Sequence, residues 1–233
     1  MGSIYLIRHG QASLGAENYD VLSPMGIQQS EILGEHFHRA GLTFERSYAG
    51  EMQRQIDTGK HALAKMPGSD QQILCEPAFN EYAADTVMQT YLPKVAETEP
   101  DAMHYVKNAG QYRKEFQRIF SQVITLWITE QNEVSGCEPW AAFVERVKGG
   151  LARVLEDAAR GQNIAIFTSG GAITAALQLI TQMPATSAFE LNWQIVNTSV
   201  SRLQYGKNKL SLASFNNQAH LDLNLQPDCI TYR

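Results

Sequence analysis

The stretch "IYLIRHGQAS", residues 4–13, carries an apolar run, Ile4-Tyr5-Leu6-Ile7, that stops abruptly at a cation, an imidazole and a glycine. The run is β-branched and aromatic with no helical period, so it reads as a short buried strand. A second strand-like run, "NIAIF" at 163–167, leads into "TSGG" at 168–171 and repeats the pattern without a histidine. Ligands of open α/β sheets sit outside the carboxyl ends of the strands. As neighbours, these two runs would put Arg8, His9, Thr168 and Ser169 on one rim. Gly170 and Gly171 would then open a helix whose free amides and dipole favour an anion. Arginine offers a planar fork of donors matched to phosphate oxygens. A neutral imidazole nitrogen can attack phosphorus and split a hard displacement into two easier ones. On the tripeptide alone, a histidine bonded to a backbone carbonyl beside a surface arginine is an equally good reading.

Outward from that stretch the elements alternate. In "LSPMGIQQSEILGEHFHRAG", Ser23 is placed to cap a helix, Pro24 fits its first position and Gly41 its end. Ile32, Leu33, His36, Phe37 and Ala40 recur on one face. "RSYAG" (46–50) reads as a second strand and "EMQRQIDTGKHALAKM" as the helix after it. Residues 82–158 differ, with two amphipathic helices: one carries Phe116 to Ile128, the other opens after Pro139 and runs through Leu155. "AITAALQLITQM" follows the second glycine-ended strand. "SVSRLQYGKNKLSLASF" reads as two strands around a hairpin at Gly206-Lys207-Asn208. The pattern predicts an α/β fold: a three-layer αβα sandwich with a mostly parallel central sheet. It predicts one domain over 1–233, with a helical insertion at about 82–135.

Composition narrows the function classes. The 233 residues are 44% apolar, enough for a real core, and the formal charge of −5 argues against a general nucleic-acid binder. Cys75, Cys137 and Cys229 are odd in number, widely spaced and outside any metal-ligand pattern, which predicts reduced thiols and a cytoplasmic protein. No membrane partner is expected, because no segment approaches a spanning length. No metal and no cofactor is called for: there is no carboxylate cluster of Mg²⁺ type and no Gly-x-x-x-x-Gly-Lys loop. A small phosphorylated substrate is the expected partner, and a homodimer is compatible with the sequence.

Beyond the tripeptide, "RHGQ" after an N-terminal strand resembles the histidine phosphatase superfamily, also called phosphoglycerate-mutase-like. "YDVLSPMGIQQSEILG" (19–34) is similar to that family's Leu-Ser/Thr-x-x-Gly-x-x-Gln segment. "YAGEMQRQIDTG" (48–59) is similar to its second phosphate-binding segment, with Arg54 four residues before Thr58. "EPAFNEY" (76–82) matches the place of an acidic proton donor, "NIAIFTSGGAIT" the strand and turn of a second histidine, and "FNNQAHL" a closing segment. The resemblance implies that His9 is the nucleophile and forms a phosphohistidine. Arg8 and Arg54 would clamp the phosphoryl oxygens, with Ser169 and Gly170 as further phosphate-binding positions. Glu81 would protonate the leaving alkoxide and then activate water. The remaining histidines (His36, His38, His61, His104 and His220) read as surface or packing residues.

Two positions depart from the family pattern. An asparagine often follows the first motif arginine by seven residues, where this chain has Gly15, with Asn18 three residues later. The second histidine falls on Ser169, which can donate a hydrogen bond but brings no charge. Losing one preorganised donor costs on the order of 100- to 1000-fold in rate, which still leaves an enzyme. The resemblance therefore implies a phosphomonoester hydrolase acting through a phosphohistidine on a small phosphorylated metabolite. The alternatives are a non-catalytic phosphate-binding or regulatory member and, third, a phosphoglycerate mutase. Substrate recognition is expected from the insertion, whose Tyr82, Tyr91, Tyr105, Tyr112 and Trp127 serve either core or pocket.

Overall fold

The computed structural model describes residues 1–13, 19–130, 134–206, 209–223 and 227–232. The chain runs β1 (Gly2–Arg8), α1 (Pro24–Arg39), β2 (Arg46–Ala49), α2 (Gln53–Ala64) and β3 (Ile73–Cys75), then a 3-10 turn at Pro77–Phe79. Helices α3 (Ala84–Ala96), α4 (Ala102–Lys107), α5 (Arg113–Thr129) and α6 (Trp140–Glu156) follow. The chain returns to the sheet as β4 (Asn163–Thr168) and continues through α7 (Gly170–Thr181), α8 (Ala185–Asn192), β5 (Val200–Tyr205), β6 (Leu210–Asn217) and α9 (Ala219–Asp222). The sheet order is β3-β2-β4-β1-β5-β6. The first four strands are parallel; β5 runs antiparallel to β1, and β6 antiparallel to β5.

The two central strands are buried on both faces, which explains why they read as continuous apolar runs. Their side chains nevertheless alternate. Ile4, Leu6, Ile164 and Ile166 join a core with Trp127, Phe143 and Ile173, under the α3–α8 layer. Ile7, Ala165 and Phe167 join Leu33, Phe37 and Leu63 under α1 and α2. Helices thus cover both faces of the sheet, giving the three layers the alternating elements predict.

Ser23 caps α1 by accepting from the Gly26 amide at 3.1 Å, and Gly41 closes it at a positive φ of 68°. Ala40, counted on the apolar face, is exposed instead, because the helix has already ended at Arg39. A side chain at Gly34 would collide with the Ala62 carbonyl, so this glycine lets α1 and α2 pack backbone to backbone. Five elements lie outside what the sequence pattern indicated: β3, α3, α4, α8 and α9. The hairpin joins β5 and β6 as expected, with Lys207 and Asn208 outside the described residues, as are Gly15 and Asn18. No helix among the described residues is long and apolar enough to cross a membrane.

Candidate active site

Strands β1 and β4 are neighbours in parallel register, with Arg8 opposite Thr168, and the His9 amide donates to the Thr168 carbonyl at 2.8 Å. The two glycine-ended runs therefore finish side by side at the carboxyl edge of the sheet.

The turn after β1 is held from three directions. Gly10 donates its amide to Thr58 Oγ1 at 2.8 Å, and that hydroxyl donates to the Arg54 carbonyl at 2.7 Å. Any side chain at Gly10 would run into the Gly26 carbonyl, so Gly10 gives α1 its close approach to the turn. Gln11 donates its amide to Gln29 Oε1 at 2.9 Å. From the β5 side, Asn197 Nδ2 donates to the His9 carbonyl at 3.0 Å and the Thr198 amide to the Arg8 carbonyl at 3.0 Å. Thr198 holds this position at a positive φ of 59°, a conformation disfavoured for a β-branched residue. His220 supports it: the hydroxyl of Thr198 donates to its preceding carbonyl and accepts from His220 Nε2 at 3.0 Å.

His9 is buried, and its Nδ1 lies 2.8 Å from the Gly10 carbonyl. A carbonyl only accepts, so Nδ1 carries the proton and Nε2 the lone pair. That lone pair faces Arg54, whose Nε donates to it at 3.2 Å. Burial, reinforced by the charges of Arg54 and Arg8, holds the His9 pKa well below its usual 6.5 against the weaker pull of the Gly10 carbonyl. The imidazole is neutral over the physiological range. That is the state a nucleophile needs.

Arg54 is buried on the first turn of α2. Its Nη1 contacts Asp20 Oδ1 at 2.6 Å, while the other Asp20 oxygen accepts the Gln53 amide at 2.9 Å. The Tyr19 ring stacks on the guanidinium at 5.5 Å from its centroid. Arg8 is anchored through Nη1 to the Ile195 carbonyl. Glu81 follows the 3-10 turn and rests against the start of α7, accepting from the Gly171 amide at 3.1 Å and the Tyr82 amide at 3.2 Å. Burial is the largest influence on its carboxyl and raises the pKa above the ordinary value, although both amides and both arginines oppose it. A proton stays on Glu81 to higher pH than on a solvated glutamate.

Arg8, His9, Arg54, Glu81 and Gly170 line one cavity of about 1030 Å³. Ser169 does not line it. Its side chain is fully buried, and its Oγ accepts from Gln55 Nε2 at 2.8 Å. Gln55 is also fully buried and shares the same amide with the Phe79 carbonyl at 3.1 Å. Nor does Gly171 offer its amide to the cavity, because Glu81 takes it. A side chain at Gly171 would strike Glu81 and the Tyr82 ring. The second glycine of the pair thus seats the acid, where sequence alone suggested an anion donor. Between residues 82 and 135, Tyr82, Phe116 and Phe120 line the cavity, whereas Tyr91 and Trp127 are core. His220 is a packing residue, as expected.

Sequence reasoning missed Asp20, Gln55, Asn197 and Thr198. Asp20 lies in a quoted motif, but nothing local pairs it with an arginine 34 residues on. Gln55 is the neighbour of Arg54, one step round the helix toward the second strand end.

Comparisons with known proteins bear on the family and the fold. The sequence model of the histidine phosphatase superfamily (branch 1) matches residues 4–116 and 92–218. A 2,3-bisphosphoglycerate-dependent phosphoglycerate mutase of Bartonella bacilliformis is 29% identical over 85 residues, 34% of this chain and 41% of that protein. The chain thus matches less than half the length of that relative. Among solved structures, phosphoglycerate mutase from Bacillus anthracis superposes with a TM-score of 0.67 at 17% identity over 95% of both chains. Phosphoserine phosphatase from Entamoeba histolytica, in complex with 3-phosphoglyceric acid, gives 0.63 at 17% over 95% of this chain and 100% of that one. Alpha-ribazole phosphatase from Shigella flexneri gives 0.60 at 18% over 92% and 96%. At such identities these structures speak for the fold, the phosphoglycerate mutase fold. The family match spans nearly the whole chain, and the protein belongs to the histidine phosphatase superfamily.

Proposed function

We propose that the protein hydrolyses phosphomonoesters through a phosphohistidine at His9. One observation carries the reading: a histidine locked as the Nδ1–H tautomer presents its Nε2 lone pair in the same cavity as a half-buried glutamic acid whose pKa is raised. The lone pair of Nε2 forms a bond to phosphorus as the ester P–O bond breaks. The bond's electrons leave on the alkoxide, which takes the Glu81 proton and departs as the alcohol. Glu81, now a carboxylate, removes a proton from water. The water oxygen bonds to phosphorus, the N–P bond returns its electrons to Nε2, and inorganic phosphate leaves. Arg8 and Arg54 meet the charge on the transferring group. For this, a phosphoryl oxygen must take over the Arg54 Nε–H that faces the His9 lone pair, while Asp20 holds Nη1 of the same guanidinium. Gly170 completes the wall beside the phosphoryl position. Ser169 acts indirectly, as the buried partner of Gln55.

A non-catalytic phosphate-binding protein is the second reading. It draws on Ser169, turned away from the cavity, and on Arg54, already paired with Asp20. A mutase acting on a phosphoglycerate needs cationic partners for a carboxylate besides the phosphate, and among the described residues the cavity is lined by no cation other than Arg8 and Arg54. Quenching in denaturant at alkaline pH, where the N–P bond survives, and digestion at that pH after brief exposure to ³²P-labelled phosphomonoester should yield label on the peptide holding His9. Turnover without such label at any time would reject the covalent route. Tight phosphate binding without turnover would favour the second reading.

A further inference from the structure

The wall of the cavity away from His9 has a chemistry of its own. Phe116 and Phe120 lie one helical turn apart on α5 with rings nearly parallel, centroids 5.9 Å apart at 16°. Trp193, just past α8, meets Phe120 edge-on at 5.7 Å and 75°. All three are half-buried, and all three line the cavity. They form a continuous aromatic shelf, where solvent-facing positions of α5 would ordinarily be polar. The polar groups between them, Gln117, Ser121 and Gln194, are neutral. Among the described lining residues, the remaining charge on this side is an anion, Asp85, at the start of α3. Both lining arginines are committed at the other end, beside His9.

We infer that the natural substrate is a monophosphate ester of an alcohol bearing a flat, aromatic group with no second anionic group. This rests on the phosphoryl site described above but makes a separate claim about the far wall. Phosphate affinity comes from Arg8 and Arg54. The ring gains apolar burial and face or edge contact with Phe116, Phe120 and Trp193. The neutral amides and hydroxyl can bond ring substituents, which is the arrangement typical of small-molecule pockets. A carboxylate or second phosphate would lose hydration, find no cation among the described lining residues of this side and face Asp85, so phosphorylated sugar acids and amino acids are selected against.

Three phosphonates that no phosphatase cleaves separate the claims by calorimetry: methylphosphonate, benzylphosphonate and 4-carboxybenzylphosphonate. Benzylphosphonate should bind at least about tenfold more tightly than methylphosphonate. The carboxyl group should cancel part of that gain, several-fold at low ionic strength. Phe120→Ala, and independently Trp193→Ala, should bring the benzyl-to-methyl ratio toward one. The wild-type ligand series stands on its own even if a variant misfolds. Equal binding of methyl and benzyl ligands, tighter binding of the carboxylated ligand, or a ratio untouched by folded shelf variants would overturn the inference. Ring preference without phosphate on His9 would leave the shelf and remove the phosphatase. Phosphate on His9 without ring preference would do the reverse.

Discussion

The carboxyl ends of β1 and β4 lie side by side, and each passes from a buried apolar run through polar residues into glycine. They nevertheless end in opposite conditions. At the β1 end, His9 Nε2 meets the cavity between two arginines. At the β4 end, Ser169 is sealed under Gln55, and the next amides pass to the wall of the cavity and to Glu81. Parallel placement alone thus does not make a strand end reactive. The neighbouring helix decides: α2 sends Arg54 to one strand end and, from the next position along the chain, Gln55 to the other.

The strongest way to break this contrast is to remove each end in turn. His9→Ala should lower turnover of any phosphomonoester by at least about a thousandfold, with an unchanged circular dichroism spectrum. Ser169→Ala should cost less than about tenfold, because the cavity loses no donor. Comparable losses for the two would mean that both ends touch the reacting phosphoryl group.

Glu81→Gln should slow alkyl phosphates by about 10²- to 10⁴-fold and 4-nitrophenyl phosphate far less, since nitrophenolate leaves without a proton. The pH profile carries the same information. His9 has a depressed pKa, so the acid limb lies well below pH 6.5. Glu81 has a raised pKa and works protonated in the first step, so the rate on alkyl esters falls as pH climbs through that raised value. The glutamine variant should lack that upper limb. An identical profile in wild type and variant would move the proton donor elsewhere.

Arg54→Lys keeps a charge but loses the Nε–H that faces His9 and the fork that spans to Asp20. A loss in kcat/KM on the order of tenfold to a hundredfold is expected. Full activity with lysine would show that a point charge suffices at this end.

The smallest effect sharpens the contrast most. Ser169→His alone places an imidazole into space that Gln55 already fills, so it should destabilise the fold by about 1–3 kcal/mol and bring no gain in rate. Adding Gln55→Ala opens that space. The double variant should recover stability relative to the single one and gain a rate dependence near neutral pH, where histidine titrates. A single variant as stable as wild type in thermal melts would show that Gln55 does not keep this strand end closed.

Legibility in the sequence followed the range of the interaction. The two glycine-ended strands were readable because an apolar run and its stop signal are local. The α1 start was readable for the same reason, and the structure supplies its physics: Ser23 caps, Gly26 clears the Gln11 carbonyl, and Gln29 accepts the Gln11 amide. The strand β3 is three residues long and largely exposed, too short for a period. Helix α3 carries Pro93 in its interior, which in sequence reads as a stop. The pairing of Gln55 with Ser169 bridges 114 residues, and no local pattern encodes it. The site residues that resemblance to the family implied lie together around one cavity, with the side chain of Ser169 turned out of it.

Gln29, the residue that braces the first strand end, also reaches the opposite end of the chain. Its Nε2 donates to the Cys229 carbonyl at 2.7 Å and to Thr231 Oγ1 at 2.8 Å, and Thr231 in turn donates to Asn197 Oδ1 at 2.9 Å. This tether brings Tyr232 to the cavity wall. A bulky label attached at Tyr232 would therefore stand beside the substrate entrance and crowd it. Met1, by contrast, precedes a seven-residue strand that carries the chain roughly 20 Å before it reaches His9. A fluorescent label on the exposed Met1 side chain stays clear of that entrance.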